Sequence, residues 1–495
     1  MEICEEDQQI INQSHPRIIE LIAQLLRIIL ELNARIRELE NRMNLNSNNS
    51  SIPSSQDPLK KPNPKSQRTS TGKPRGGQRG HKGTTLTPSS NPDEIIEHKP
   101  ETCSNCGSKM QEIGNEIIEE RQEVEIPPIE VKYIAHRQIG CICPHCHTKN
   151  VGQFPAHITN LIQYGPKLTA LVVYLSVFQL IPVKRLTDLL RDIFNCPISP
   201  GTVFNMTIRV SSNLEEFMEN IKNLLINSSV IHTDETGTKI GKKRSWLHVA
   251  CTKFLTLYGI FQNRGKKGID ALGVLPNYLG IVVHDFWNPY LWYLCLHAYC
   301  NAHIIRELTR VEEETRQQWA VKLRSFLVRA KRISESFHEK KLLVPPDSLE
   351  LLNGEYLNLI QEGFADNPPP IRKKGTRGKI KKTHARNLVE RMQAHQTEIL
   401  RFLHDPNVPF DNNLAERDIR MPKLKMKISG VFRSDTGALA FCRIRSYIST
   451  MKKNKVSVIE GLVAANMGQA WSPNQPLTSD VGSTPISGDN QQAYA

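Results

Sequence analysis

"VIHTDETGTKI", residues 230–240, begins as a run of β-branched and apolar residues and then meets two acids, Asp234 and Glu235. Burying an isolated charge is costly unless it is paired or bound to a metal. A carboxylate here therefore belongs to a solvated strand end or to a site. Downstream, "RSWLHVAC" (244–251) and "FLTLYGIF" (254–261) read as two more strands. Their tight connections make the three antiparallel neighbours. "GIDALGVLPNYL" (268–279) then reads as a short helix, and "GIVVHDFWNPY" (280–290) as a strand ending on Asp285. A strand that returns through a crossover helix lies parallel to the first, so the two share an edge at their C-terminal ends. Asp234 and Asp285 are expected side by side there, and like charges at that distance call for a cation.

A third carboxylate is sought in "DPNVPFDNNLAERDIR" (405–420), where Pro409 and Asp411 mark a helix start and Pro422 its expected end. Glu416 and Asp418 are two residues apart and point to different helix faces, so geometry alone leaves the choice open. A plain i,i+4 pair of Glu416 with Arg420 is the structural alternative.

The chain of 495 residues carries 64 Lys and Arg against 50 Asp and Glu, a net +14, which suits a polyanionic partner. The excess sits in three runs. Lys73, Arg75, Arg79 and Lys82 belong to the first, Arg372, Lys373 and Lys374 to the second, and Arg417, Arg420, Lys423, Lys425 and Lys427 to the third. One such run is an ordinary solvated face; three make nucleic acid the stronger reading, with these residues as phosphate contacts.

"MEICEEDQQI" at the start is acidic where a secretory signal needs a basic region. The longest apolar stretch, "LTALVVYLSVFQLIPV" (168–183), falls short of the ~18–20 apolar residues that span a bilayer. A cytoplasmic chain with no membrane partner is expected, and its eleven cysteines then point to metal or core packing rather than disulfides.

Two Cys pairs stand out, Cys103 and Cys106 in "CSNCG", Cys143 and Cys146 in "CPHCH". Each C-x-x-C offers two thiolates on one turn, and two such knuckles make a closed tetrahedral site for structural Zn²⁺. The alternation in "EVEIPPIEVKYIAHRQIGCIC" (123–143) predicts a hairpin joining them, with Cys141 and His145 as spare ligands. Cys295, His297, Cys300 and His303 in "LCLHAYCNAHIIREL" have spacing compatible with a second metal, although a helical packing motif accounts for them more simply.

From Ile18 a heptad appears, with Ile22, Ile29, Ile36 and Met43 on one seam position and Ile18, Leu25, Leu32 and Leu39 on the other. β-branched residues at a with Leu at d favour a parallel two-stranded coil. The expected organisation is a multidomain chain. A coiled-coil helix (1–45) leads into a basic linker too polar to fold (46–100) and a zinc ribbon-like module (101–155). A helical, helix-turn-helix-like domain (156–227) follows, in which Ser199 caps a helix and Pro200 opens it. An α/β catalytic domain (228–290 and 405–468) is interrupted by a helical insertion (291–404), and a disordered tail (469–495) ends the chain.

The stretches "NSNNSSIPSSQDP", "GGQRGHKG", the paired C-x-x-C, "HTDETG", "HDFWNPY", "CNAHIIREL" and "DNNLAERDIRMPKLKMKISGVFRSDTGA" occur in that order over roughly residues 45 to 465. Together they resemble the DDE transposases of the insertion sequence 66 group. One departure is that Phe286-Trp287 follow Asp285 where much of the group has Gly-Tyr. The resemblance implies an RNase H-like catalytic domain with Asp234, Asp285 and Glu416 as its metal-binding triad. It also implies DNA as partner, both the element's terminal inverted repeats and the target, and 3′-end cleavage followed by strand transfer. An all-carboxylate site suits Mg²⁺ (or Mn²⁺), two ions about 3.5–4 Å apart in such chemistry. A homodimer or higher homo-oligomer is expected, with accessory proteins of the same element as further partners. Two other readings share these features, a non-catalytic zinc-ribbon DNA-binding regulator and a structure-selective metal-dependent nuclease.

Overall fold

The computed structural model describes residues 16–50, 87–110, 117–127, 129–340, 342–370 and 380–473. Lys73, Arg75, Arg79, Lys82, Arg372, Lys373 and Lys374 lie outside the described residues, as does the expected tail beyond residue 473.

Helix α1 (Pro16–Met43) leaves both seams of its heptad uncovered: Leu25 is 57% exposed and Leu32 57%. The chain just after it is not the featureless linker start expected from composition. Asn46 and Asn49 cross-bond through Asx-type turns, and Asn49 is buried, donating to Glu313 (2.8 Å). Short polar side chains that bond the nearby backbone can fix a turn without apolar burial.

Each C-x-x-C forms the same knuckle. Cys103 N donates to Ser108 O and Gly107 N to Cys103 O; Cys143 N donates to Thr148 O and His147 N to Cys143 O. Gly107 and His147 both take positive φ, +72° and +55°, which closes the turn. The predicted long hairpin between the knuckles does not form. Instead β1 (Gly140–Ile142) and β2 (Lys149–Val151) make a three-residue ladder within the second knuckle. Most described residues of the intervening stretch are exposed, Val131 packing on the core of the following helices, and two consecutive prolines in the sequence cannot donate to a ladder.

Helices α2 (Pro166–Val173), α3 (Val183–Phe194), α4 (Pro200–Ser212) and α5 (Glu215–Ile226) follow, α2 running on through a π turn over Tyr174–Phe178. Ser199 accepts from Thr202 N (3.1 Å), the expected cap, and Asn195 in the left-handed region ends α3. Leu186, Leu190, Val203 and Met206 form a small core between α3 and α4. Helix α4 is tied into the domain, because Arg209 donates to Thr169 and Asn466 (both 3.1 Å).

The central sheet has the order β5-β4-β3-β6-β7. Strands β3 (Val230–Ile240), β4 (Lys243–Cys251) and β5 (Thr256–Phe261) are antiparallel. After helix α6 (Lys266–Leu272), β6 (Ile281–His284) runs parallel to β3, as the crossover predicts. Strand β7 (Leu296–Tyr299) adds a second parallel pairing. The insertion boundary expected at residue 291 falls before "LHAY", a strand of the central sheet with three of its four residues buried, and the helical part starts after it.

Helices α7 (Asn301–Thr315), α8 (Gln318–His338), α9 (Pro346–Asp366), α10 (His384–Ala394) and α11 (Gln396–His404) make up that part. Their core, around Trp319, Phe326, Tyr356 and Leu400, is continuous with Val283 and Tyr299 of the sheet. Helices α12 (Asn413–Ser429), α13 (Asp435–Lys453) and α14 (Val458–Asn466) close the other core together with β3 to β5. The edge strand β5 is covered: Thr256 N and Tyr258 N donate to Thr450 Oγ1 (3.1 Å) and Ser446 Oγ (2.9 Å) on α13. An i,i+4 pair of hydroxyls thus satisfies two outward edge donors that would otherwise invite another strand.

Pro422 does not end α12, contrary to the sequence expectation. A helical proline normally orphans the carbonyl four residues back. Here that carbonyl, Asp418 O, accepts from the Tyr258 hydroxyl (2.9 Å), which removes much of the penalty.

Candidate active site

The parallel ladder of β3 and β6 runs Val230↔Ile281, Ile231↔Val282, His232↔Val283. Two residues beyond the last of these pairs stand Asp234, on β3, and Asp285, just past the end of β6. β3 itself continues to Ile240, paired with β4 and bridged at its far end to Phe432. Asp234 is thus mid-strand, not strand-terminal, yet it lies just beyond the parallel pairing, at an open edge. Both aspartates are half-buried.

Alternation along β3 turns Asp234 to the face of His232 and Glu235 to the opposite face. On the first face Asn412 is the clamp. Its Nδ2 donates to Thr233 O (2.8 Å), so its Oδ1 is the acceptor for His232 Nδ1 (2.9 Å). Its backbone N–H donates to Cys300 Sγ (3.2 Å). The start of α12, with Glu416 in its first turn, is thereby fixed against β3; Asp234, Asp285 and Glu416 do not, however, form a group with ligand atoms all within 4.8 Å of one another. On the second face Glu235 is 2% exposed and fully engaged: Arg264 donates to its Oε1 from Nη2 (2.8 Å) and Nε (3.0 Å), and the Tyr290 hydroxyl to its Oε2 (2.5 Å). Arg264 in turn lies over Trp287 (4.2 Å) and Trp246 (5.0 Å). The side chains after Asp285 thus hold the partner of the residue after Asp234.

Burial, then Glu235, then Asp285 push the Asp234 carboxyl well above the ordinary carboxylate range, against the opposing charge of Lys423. Burial and then Glu235 raise Asp285, with His303 opposing. Two carboxyls that resist ionising together are a place for a cation. Glu416 Oε1 is shut off from solvent and has no hydrogen-bond partner among the described residues. A buried carboxylate oxygen left without a donor is costly, and its donor set and position fit a divalent metal.

Asp418 faces the other way. It accepts from Lys453 Nζ (2.7 Å) and Thr256 Oγ1 (3.0 Å), so its carboxylate is consumed in the fold. Among the described residues Glu416 makes no ion pair with Arg420; its Oε1 lies 3.8 Å from His303 Nδ1, and burial holds that imidazole below the ordinary histidine range. Of the third basic run, Arg417, Arg420 and Lys427 are exposed and Lys423 is half-buried. Positions 416, 420, 423 and 427 follow one stripe of the helix. Lys425 departs from the expected phosphate-facing row: spacing from Asp418 and Pro422 turns it inward, with Nζ 4.1 Å over the Phe432 ring, and burial lowers its pKa.

The family described as "Transposase IS66 family" matches residues 162–440, more than half of the chain and including all three candidate carboxylates. The chain belongs to this family. A second family, of unknown function (DUF6444), matches residues 6–87. No match was found among curated proteins. Among the described residues no helix is long and apolar enough to cross a membrane.

In this IS66-family chain the structure does not gather Cys103, Cys106, Cys143 and Cys146 into one cluster. Each knuckle pairs its own two thiols, and hydrogen bonding with Ser108 and Thr148 holds Cys106 and Cys146 below the ordinary thiol range. Cys295 is a core residue. His297 is bonded to His284 (3.0 Å) behind Asp285, so neither belongs to a metal cluster. Sequence reasoning missed Asn412, Lys453 and the Arg264–Glu235–Tyr290 group. The signal for the first was present, an Asn immediately before a helix, but its side chain serves the neighbouring strand rather than the helix end.

Proposed function

We propose that this family member is a DDE-type DNA transposase, cleaving 3′ ends at the termini of its element and joining them to target DNA. The reading is supported most by one observation: Asp234 and Asp285 stand in register just past the β3–β6 ladder, and Asn412 ties the start of α12, the helix that carries Glu416, to β3 at Thr233. The sheet order, three antiparallel strands followed by two parallel ones, supports an RNase H-like domain.

Asp234, Asp285 and Glu416 would hold divalent metal, Mg²⁺ or Mn²⁺. When bound, such ions activate a water or 3′-hydroxyl and stabilise the leaving oxygen of phosphoryl transfer. The rest is the work of the chain. Lys423 balances the charge of Asp234 and reaches the same edge, while Arg420 and Lys427 extend that stripe as phosphate contacts. Asn412 keeps β3 and α12 in register, and the Arg264–Glu235–Tyr290 group fixes the loop after Asp285. Helix α1, with its uncovered seams, supports a dimer that holds two element ends together. The two knuckles are matching halves of a Cys₄ zinc module; if Cys103→Ser and Cys143→Ser leave the zinc content of the chain unchanged, that module is wrong.

The decisive assay incubates full-length protein with labelled duplexes bearing the element's ends, target DNA and Mg²⁺. Joined products are expected. Binding alone would leave a DNA-binding regulator, and hydrolysis without joining a nuclease.

A further inference from the structure

Cys300 and His303 stand at the start of α7, and Glu416 in the first turn of α12. The two helix starts are stitched together by Asn301 N donating to Phe410 O (3.0 Å) and Asn412 N to Cys300 Sγ (3.2 Å). One ligand atom from each of Cys300, His303 and Glu416 lies within 4.8 Å of the other two, the only such group of three among the described residues. His303 Nδ1 and Glu416 Oε1 are 3.8 Å apart, both hidden from solvent and neither hydrogen-bonded.

That separation is too long for a hydrogen bond. It is the separation of two atoms that share an ion, since bonds of about 2.0–2.3 Å to one metal place ligand atoms roughly 3–4 Å apart. Buried polar atoms without partners call for an explanation, and one ion would satisfy both. The donor types narrow its identity. Sulfur and imidazole nitrogen suit a borderline-soft ion, whereas Mg²⁺ takes oxygen ligands. Three protein ligands with one position left open is a common arrangement for Zn²⁺.

We propose that Cys300, His303 and Glu416 form a site for a borderline-soft divalent transition ion, Zn²⁺ foremost. On binding, the Cys300 thiol gives its proton to solvent and the thiolate bonds the metal. The N–H of Asn412 already points at that sulfur and stabilises its anionic form. Cys295 and His297, close in sequence, take no part. Resting on the reading of Glu416 as a carboxylate of the catalytic edge, the site has a consequence. Zinc held here claims Glu416, so Zn²⁺ inhibits Mg²⁺-supported joining.

The test is zinc content per chain, measured on full-length protein after loading with Zn²⁺ and dialysis. The Cys₄ module is common to all samples, so only differences are read. Cys300→Ser, which keeps an acceptor for Asn412 N–H, and His303→Gln should each hold one equivalent less than wild type. Unchanged content in either variant overturns the three-ligand site. Should Cys300→Ser fail to fold, the half-buried His303→Gln carries the test alone. Joining assayed in Mg²⁺ without zinc reports separately on the catalytic reading, so failure of one is distinguishable from failure of the other. With both standing, added Zn²⁺ should depress joining by wild type and do so less in Cys300→Ser.

Discussion

Asp418 and Lys453 form an ion pair of 2.7 Å on the side of α12 away from Glu416, with both side chains 14% exposed. Two acids two residues apart on one helix are thereby given different work. Asp418 ties α12 to α13 and β5, while Glu416 Oε1 is buried with no hydrogen-bond partner among the described residues.

Removing Asp418 should therefore be a stability defect. Asp418→Ala takes the carboxylate from the Lys453 ammonium and leaves it the Thr252 and Leu255 carbonyls, so the loss falls at the low end of the about 3–5 kcal/mol of a broken buried pair. Urea denaturation should show a clearly lower midpoint for Asp418→Ala and a near-wild-type midpoint for Glu416→Ala. Equal midpoints would mean that the pair does not hold the helix.

The crowded carboxyls predict a trade of stability for function. The folded-state pKa of Asp234 is raised, so its contribution to stability is full below the ordinary carboxylate range and is lost as pH rises through the raised value. Without added Mg²⁺, wild-type melting temperature should fall over that window. Asp234→Asn should show a shallower fall and a higher melting temperature above it. Added Mg²⁺ should raise the wild-type value through binding to the folded state alone and leave Asp234→Asn nearly unmoved. A variant that melts lower than wild type in Mg²⁺-free buffer at neutral pH would contradict the crowding.

Phosphate contacts are separable by salt. Arg420→Gln and Lys427→Gln should each lower the slope of log affinity against log salt by about 1. Lys425→Gln should leave the slope alone and lower stability, because that ammonium lies over Phe432.

Dimerisation is tested in α1. Leu25→Lys with Leu32→Lys places like charges in both halves of the seam. Light scattering should report loss of self-association, and joined products should fall while single-end binding changes little. A double variant that remains dimeric would move the interface to another domain.

How far the sequence went follows from which interactions are local. The hairpin pattern of "VIHTDETGTKI" and its neighbours, and the crossover to "GIVVHDF", are set by alternation and short connections, so Asp234 and Asp285 could be paired in advance. Ser199 and Pro200 likewise carry a local signal. What stayed hidden depends on distant partners. Tyr258 lets α12 pass Pro422, Lys453 takes up the Asp418 carboxylate, and Asn412 ties the start of α12 to β3. Strand β7 was missed because four residues are too few to show a period. The turn at Asn46–Asn49 was missed because side-chain-to-backbone bonds leave no hydrophobic pattern.

The central claim, that Asp234, Asp285 and Glu416 act as one metal-binding catalytic set, is tested most directly by strand transfer with four single variants. Asp234→Asn, Asp285→Asn and Glu416→Gln should each lose joined product in Mg²⁺ while binding element ends with near-wild-type affinity. Asp418→Asn, assayed below its melting temperature, should still join. Joined product from Glu416→Gln, or none from a folded Asp418→Asn, would contradict the assignment.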